Sequence, residues 1–545
     1  MNITQVFDDE YDIDFEAYLK KYGVTDIEQF LDPNGKALDN CWSYSTMRDA
    51  VNLFKYCYLR QLKMYILSDS GDVDGVTSSC ILYDYLQKLD KACNVKILIH
   101  ENKERGLQDE KIIDKLRKDN DYLLFIPDGG SNDKEQIDEL AENNNANIII
   151  LDHHQVITPS DNCVLVSNQF DDKGVSPCGS GCLVTHKFLQ ALDVEFSKNY
   201  SKKYIDMVAL SLVSDIMNMS DLQNRTYYHF GLEKINCVYN SFLRQLIEDY
   251  IGDKEYTQRD IAFKIVPKLN AVSRSSNQKL KQKVFKAFLG LTDVEDVSLL
   301  CKDAHAEQIK IVNDIVEQNI NDIDYNNKLI VVANDTIQKN YAGLIASKLS
   351  NGHPIIVGRI HDDNLIGSFR SPIDIDDTLV NNPLINWKRG HVWASGIELP
   401  AKNIQPLVDY YNNLEELPQP TTTVLYSCPV SKIPHKVFED FNKYPNIYGQ
   451  GLPTPKLHVY NIKFNSKDIQ VLGANGRTLK LQCKGIAFMW FMVTNKTKEQ
   501  LLDCKGDMTL EVIGTMNINE FRGIVTHQII VEDFEVHDKS FDDLF

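Results

Sequence analysis

Nowhere along its 545 residues does this chain hold an apolar run near the ~20 positions that a membrane-spanning helix needs. The start, Met1-Asn-Ile-Thr-Gln-Val-Phe-Asp-Asp-Glu, has neither the basic residues nor the apolar stretch of a secretory signal. Both absences point to a cytoplasmic protein with no membrane partner. Paired CxxC spacing is missing too: the 12 cysteines are scattered, which predicts reduced, mostly buried thiols. The closest pair, Cys178 and Cys182, has no second pair beside it, so a thiolate zinc site is not expected. Positive charge is short as well, with 58 Lys and Arg against 77 Asp and Glu and a net charge of −19. Phosphate neutralisation supplies most non-specific affinity for nucleic acid, so this balance weighs against such a partner without excluding it. Carboxylates that hold cations add formal negative charge, and a basic groove can exist on an acidic protein.

What remains is an ordinary globular composition, 43% hydrophobic and 25% charged, in a chain long enough for roughly three or four domains. Within it, short apolar runs lead into acidic or histidine-bearing segments. Lys63-Met-Tyr-Ile-Leu67 precedes Asp72-Val-Asp74-Gly75, Tyr122-Leu-Leu-Phe-Ile126 precedes Asp128-Gly-Gly130, and Ala146-Asn-Ile-Ile-Ile-Leu151 precedes Asp152-His153-His154. A fourth apolar run, Val208-Ala-Leu-Ser-Leu-Val213, precedes Asp215. Continuously apolar strands alternating with helical segments predict a parallel sheet covered on both faces, with ligands at the carboxyl ends of its strands. All four segments then share one structural address. Carboxylates mixed with imidazoles suit Mn²⁺ or Mg²⁺, whereas a structural zinc site would use thiolates. Asp72 also fits a plain helix N-cap, since Thr77-Ser-Ser79 continues toward a helix.

Further along, one long helix is predicted from Asp293 to about Asn321, followed by strands at Lys328–Ala333 and His353–Gly358 of a second α/β unit. Leu417-Pro-Gln-Pro-Thr-Thr-Thr423 reads as a linker, and short strands at 456–460, 478–482, 508–513 and 528–531 suggest a small barrel.

Taken together, these segments resemble the DHH phosphoesterase superfamily and, within it, the RecJ single-strand DNA exonucleases, over nearly the whole chain. Asp152-His153-His154 matches the namesake motif, and Asn270-Ala-Val-Ser-Arg274 the Asn-Ala-x-x-Arg segment. Gly367-Ser368-Phe-Arg370-Ser371 and Gly390-His391-Val-Trp-Ala-Ser-Gly396 are similar to the two signatures of the DHHA1 domain. Tyr448-Gly-Gln-Gly451-Leu-Pro453-Thr-Pro455 and Asn517-Ile-Asn-Glu-Phe-Arg522-Gly523 match the RecJ-type OB-fold region. The first motif departs from the family: Ser70 stands where a carboxylate is usual, with Asp69 one residue away, and Arg389 replaces a glycine before Gly390.

The resemblance implies two α/β domains, a parallel-sheet DHH domain and a DHHA1 domain, joined by a long helix and followed by an OB-fold β-barrel. The expected boundaries are 1–245 for an N-terminal helical segment with the DHH domain, 246–325 for the connection, 326–415 for DHHA1, 416–536 for the barrel and 537–545 for an acidic-hydrophobic tail. It implies a monomeric, metal-dependent exonuclease for single-stranded DNA, acting 5′ to 3′ in repair, recombination or replication. Asp72, Asp74, Asp128, His153 and Asp215 would hold one or two Mn²⁺ or Mg²⁺ ions, the number left open by Ser70. His154 would contact the scissile phosphate and Asp152 would orient a histidine. Asn270, Arg274, Ser368, Arg370, Ser371, Gly390 and His391 would position the strand in a cleft between the two α/β domains. Tyr448, Tyr460, Phe488, Trp490, Phe491 and Phe521 are barrel aromatics available for base stacking. The tail resembles the tip of bacterial single-strand-binding proteins, which implies recruitment to such a protein or another replication protein. Two alternatives stay open: a non-catalytic DHH-fold replication scaffold, and a phosphodiesterase for oligonucleotides or cyclic dinucleotides.

Overall fold

The computed structural model describes residues 1–9, 12–69, 71–100, 106–170, 172–252, 255–473, 475–504, 506–521 and 523–538, the side chains of Phe521 and Asp538 aside. Ser70, most of the 100–107 segment, Arg522 and the tail beyond Asp538 therefore lie outside the described residues. The chain forms two compact units, Pro33–Gln419 and Met1–Asp32 with Pro420–Phe545.

The larger unit is built on a parallel five-stranded sheet. Strands Val95–Ile99, Lys63–Ser68, Tyr122–Pro127, Asn147–Asp152 and Val164–Ser167 lie side by side in that order. The apolar runs are continuous because both faces are covered, and alternation sorts their side chains between two cores. Met64, Ile66, Leu123, Phe125, Ile149 and Leu151 enter one core with helices Met47–Leu59, Val73–Leu89, Gly181–Phe196 and Ile205–Ser214. Tyr65, Leu67, Leu124, Ile126, Ile148 and Ile150 enter the other with helices Glu110–Leu116 and Lys134–Asn144. In sequence order the strands read 2-1-3-4-5, so the winding direction reverses between Lys63–Ser68 and Tyr122–Pro127. A crevice opens at such a switch point, beyond the carboxyl ends of the two strands. Asp69 and Asp72 follow one of these strands and Asp128 the other.

Helix Val294–Asn319, capped by the Asp293 carboxylate, matches the expected long helix. It joins two cores: Val297 and Cys301 pack in the first, and Val312 and Ile315 pack under a second five-stranded sheet. That sheet runs Trp387–Gly390, Ala394–Pro400, Asn364–Arg370, Ile355–His361 and Ile330–Ala333. Only its last pair is parallel, so the second unit expected from sequence is a mixed, mainly antiparallel sheet.

In the smaller unit seven strands form one sheet, in the order Tyr426–Pro429, Lys456–Asn465, Asp507–Phe521, Ile524–Asp538, Ile486–Phe491, Thr478–Cys483 and Ile469–Leu472. The two central strands run for 15 residues each, longer than the short strands expected there. Strand Ile3–Gln5 pairs in parallel with Thr422–Val424. Residues 1–32 thus fold with this unit, which differs from the expected 1–245 grouping. Of the aromatics singled out for stacking, Tyr448, Phe488 and Trp490 are core residues, Tyr460 is half-buried and Phe491 is exposed.

Candidate metal centre and anion site

The loop after strand Lys63–Ser68 runs directly into helix Val73–Leu89, and two of its carboxylates take different places there. Asp72 is the N-cap, accepting from the Gly75 amide at 3.2 Å. Asp74, in the first turn, is fully buried and turned toward a second helix. Its two oxygens accept the Gly181 and Cys182 amides, each at 2.8 Å, from the start of helix Gly181–Phe196. The donors at a helix start have no intrahelical partner and favour an anion. Two glycines make the approach possible. A Cβ on Gly75 would stand 2.0 Å from the Asp69 carbonyl oxygen, and one on Gly181 would stand 2.6 Å from Asp128 Cβ.

Asp128 directly follows strand Tyr122–Pro127 and stands in the left-handed region, at φ 62. For a residue other than glycine this is a strained conformation, of order 1–3 kcal/mol, and such strain gathers at functional sites. Its Oδ1 is buried and accepts no hydrogen bond among the described residues. Burial, then Asp74, Asp72, Asp69 and Asp215 in that order, push the Asp128 pKa well above the carboxylate range. Burial likewise raises that of Asp74, opposed by His153.

His153 Nε2 is the centre of the nest. It lies 3.3 Å from Asp128 Oδ1, 3.4 Å from Asp215 Oδ2 and 3.7 Å from Asp74 Oδ2. Burial lowers its pKa, which favours the neutral ring that ligates metals. Donors ~2.0–2.2 Å from one octahedral ion sit about 2.8–3.1 Å apart along the edges of its coordination shell, so a small inward movement of these groups would close the shell. Two overlapping groups, Asp74 with His153 and Asp215, and Asp128 with Asp152, His153 and His154, each offer donor atoms within 4.8 Å of one another. Oxygen-rich donors with imidazole, a carboxylate oxygen without a partner and the mutual repulsion of buried acids all fit a divalent cation.

Asp152 is used differently. Its Oδ1 accepts the amides of His153 and His154, at 2.8 and 3.2 Å, and His154 Nδ1 at 2.8 Å. Its Oδ2 accepts the Ser131 hydroxyl at 2.6 Å. Burial alone would raise its pKa; the bonds from His154 and Ser131 and the two imidazoles hold it well below the usual range. An ionised Asp152 thereby fixes the His154 ring, whose side chain remains 35% exposed.

Sequence placed Asp215 at a strand end. It is instead the C-cap of helix Ile205–Ser214, because a helix buried on all sides is as continuously apolar as a parallel strand. Ser180 and Ser211 join this helix to the one beginning at Gly181 by a 2.6 Å hydroxyl contact. Asp69, one residue off the family register, is buried and close enough to act on Asp128 electrostatically.

Beside the acidic nest stand two arginines. Arg274 ends helix Val266–Arg274, and its backbone carbonyl accepts Asn340 Nδ2 at 2.8 Å. Burial lowers its pKa while Asp72 and Tyr341 draw it back. Arg370, the last residue of strand Asn364–Arg370, is lowered by burial and then by Arg274. Its guanidinium covers the start of helix Ala342–Leu349, where a Cβ on Gly343 would lie 2.4 Å from Arg370 Nη2 and 3.6 Å from Ser368 Oγ. Two partly buried cations, one of them over a helix N-terminus, repel one another and together favour an anion. Asn270, one helical turn before Arg274, has a buried Oδ1 that accepts no hydrogen bond among the described residues.

Other expected residues lie apart from this. The Ser371 hydroxyl donates to the Ile373 carbonyl at 2.5 Å, so it shapes a turn. Gly390, at φ 126, packs against Ser395 at the base of a tight turn, and His391 in that turn is exposed. Ser131, Gly181 and Gly343 were not singled out in the sequence. Their signals were present but unspecific: a Ser after Asp128-Gly-Gly, Gly-Ser-Gly ahead of an apolar helix, and a Gly near a helix start.

A carboxylate–histidine nest lies at the switch point of a doubly wound sheet, with one arginine from a helix end and one from a second sheet beside it, the arrangement expected of a DHH-type protein. Residues 63–212 match the profile of the DHH family, N-terminal domain, and residues 426–533 that of the RecJ OB domain. Residues 63–212 thus carry a DHH-family N-terminal domain and residues 426–533 a RecJ-type OB domain, and the chain is RecJ-like. It is 25% identical to YorK of Bacillus subtilis (strain 168), over 98% of both chains, a prophage-derived protein named provisionally as a single-strand DNA-specific exonuclease. It is 24% identical to the single-stranded-DNA-specific exonuclease RecJ of the same organism, over 91% of this chain and 64% of that one. RecJ from Thermus thermophilus, solved in complex with Mn²⁺, superposes with a TM-score of 0.75 at 21% identity, covering 93% of this chain and 74% of that one.

Proposed function

We propose that this protein is a divalent-metal-dependent exonuclease that hydrolyses phosphodiester bonds in single-stranded DNA. The observation that carries the reading is the meeting of opposite charges: the Asp72–Asp74–Asp128–His153–Asp215 nest, buried at Asp74 and Asp128, beside the half-buried Arg274–Arg370 pair. Asp74, Asp128, Asp215 and His153, with Asp72 and Asp69 at the margin, would hold Mn²⁺ or Mg²⁺. When bound, such a cation supplies positive charge and an acidified water for attack on phosphorus.

The chain's own groups do the rest. The ionised Asp152 holds His154 by Nδ1, so Nε2 is the atom turned outward to meet a phosphate oxygen. Arg274 and Arg370 grip the next phosphates, with Ser368 and Asn270 beside them, and fix the strand in register. Exposed Phe491 offers a face for base stacking in the OB-fold unit. The resemblance to RecJ supports 5′ to 3′ polarity and a monomer working in the cytoplasm. The likeness of residues 537–545 to the tip of bacterial single-strand-binding proteins supports recruitment to such a protein or to another replication protein. No helix among the described residues is long and apolar enough to cross a membrane.

The test uses purified protein with 5′- and 3′-labelled single strands, a duplex and a dinucleotide, each with Mn²⁺, Mg²⁺ or EDTA. Metal-dependent release of nucleotides from single strands, with the 5′ label leaving first, is expected. Release of the 3′ label first overturns the polarity. Activity on the dinucleotide alone favours the small-substrate phosphodiesterase, and no hydrolysis in any arm favours the scaffold.

A further inference from the structure

A second group of potential ligands lies in the C-terminal unit, on one face of its sheet. Glu511 and Glu535 are directly paired across strands Asp507–Phe521 and Ile524–Asp538. His537 follows Glu535 by two residues, which keeps it on the same face. His458, on strand Lys456–Asn465, pairs with Ile513, two residues from Glu511, and joins them.

Glu511 stands between two imidazoles: its Oε2 is 3.5 Å from His458 Nε2 and its Oε1 is 3.8 Å from His537 Nε2. Glu535 Oε2 is 3.7 Å from His537 Nε2, while its Oε1 accepts from the Met1 amino group at 2.8 Å. Donor atoms of Glu511, Glu535 and His537 all fall within 4.8 Å of one another.

His458 points to a ligand independently. It is only 7% exposed, and its Nδ1 is bonded to the Ser427 hydroxyl at 2.6 Å. Its Nε2 is buried and, among the described residues, makes no hydrogen bond, although it faces the Glu511 carboxylate. A proton shared between them would draw N and O to ~2.7–3.2 Å, closer than the 3.5 Å observed. The gap leaves room for a cation between them. Donors ~2.0–2.2 Å from a tetrahedral ion lie about 3.3–3.6 Å apart.

We propose that Glu511, Glu535, His537 and His458 form a divalent-cation site separate from the catalytic nest. Two imidazoles and two carboxylates suit a borderline ion of the zinc class better than Mg²⁺. Ser427 orients His458 from behind, as outer partners of ligating histidines do. The ion cross-links the three longest strands of the unit and ties down the last of them.

The experiment uses the full chain carrying Asp74→Asn and Asp128→Asn, so that the catalytic nest no longer competes for metal. After dialysis against Zn²⁺, metal analysis should find one equivalent retained, and the melting temperature should rise relative to protein kept in EDTA. Adding Glu511→Gln with His537→Gln should remove both effects. Zinc content unchanged by those substitutions, or no zinc held in the parent, overturns the proposal. Co²⁺ gives a second readout on the folded parent alone: strong visible bands of a tetrahedral N/O site are expected, and their absence refutes the site.

Discussion

Gly181→Ala places one methyl group where the structure leaves no room for it. An ideal Cβ there stands 2.6 Å from both Cβ and Oδ1 of Asp128 and 2.9 Å from its Cα. Carbon contacts relax at ~3.5–4.0 Å, so the start of helix Gly181–Phe196 must retreat by about 1 Å. That movement stretches the amide bonds from Gly181 and Cys182 to Asp74, now 2.8 Å each, to the edge of hydrogen-bonding range. A hydrogen bond to a charged group contributes about 1.5–3 kcal/mol, so about 3–6 kcal/mol of carboxylate positioning is at stake. Overpacking of about 1–3 kcal/mol, offset by about 1 kcal/mol of alanine helix propensity, adds to that cost in global stability. A misplacement of ~1 Å at a reacting centre can cost ~100-fold in rate. The variant should therefore melt below the parent and, where it is still folded, release nucleotides from labelled single strands roughly 100-fold more slowly with Mn²⁺. A rate within twofold of the parent would refute the reasoning, since the helix would then have yielded without moving the carboxylates.

Asp128→Asn should abolish hydrolysis yet melt higher than the parent in EDTA at neutral pH, because burial and four neighbouring carboxylates raise the Asp128 pKa. Below about pH 4 that carboxyl is protonated both folded and unfolded, so the gap should close there and widen as pH rises; a gap that widens toward acid refutes the charge argument. Ser131→Ala removes the 2.6 Å bond to Asp152 and should slow turnover roughly 10-fold with KM little changed; an effect on KM alone would place Ser131 in strand binding instead. Arg370→Lys should raise KM for single strands about 10-fold or more, since an ammonium cannot lie flat on the helix start or bind two oxygens at once; an unchanged KM removes Arg370 from the anion site.

The parallel sheet was legible in the sequence because strands covered on both faces must be apolar at every position, and Tyr122–Ile126 and Ile148–Leu151 are. Asp72, Asp128 and Asp152 could be assigned to one crevice because each follows such a run. Asp215 could not be placed correctly, since Val208–Val213 is equally apolar as a helix enclosed by other helices. The two roles in Asp72-Val-Asp74 were not separable either: capping and metal binding ask for the same residue type at the same spacing, and only the amides of a distant helix single out Asp74. Ser131 and Gly181 act through contacts between segments, which a local pattern does not encode. The pairing of Ile3–Gln5 with Thr422–Val424 joins two short segments about 420 residues apart in sequence and leaves no periodic signal at either.

His153 has a consequence of its own. The two potential ligand groups overlap at this residue, and Asp74, Asp128 and Asp215 all face the same ring nitrogen. An imidazole nitrogen has one lone pair, so it can complete the shell of one cation at a time. Were two ions to bind, whichever took it would leave the other without this nitrogen. The nest would then hold its two tenants unequally, one firmly and one on weaker terms.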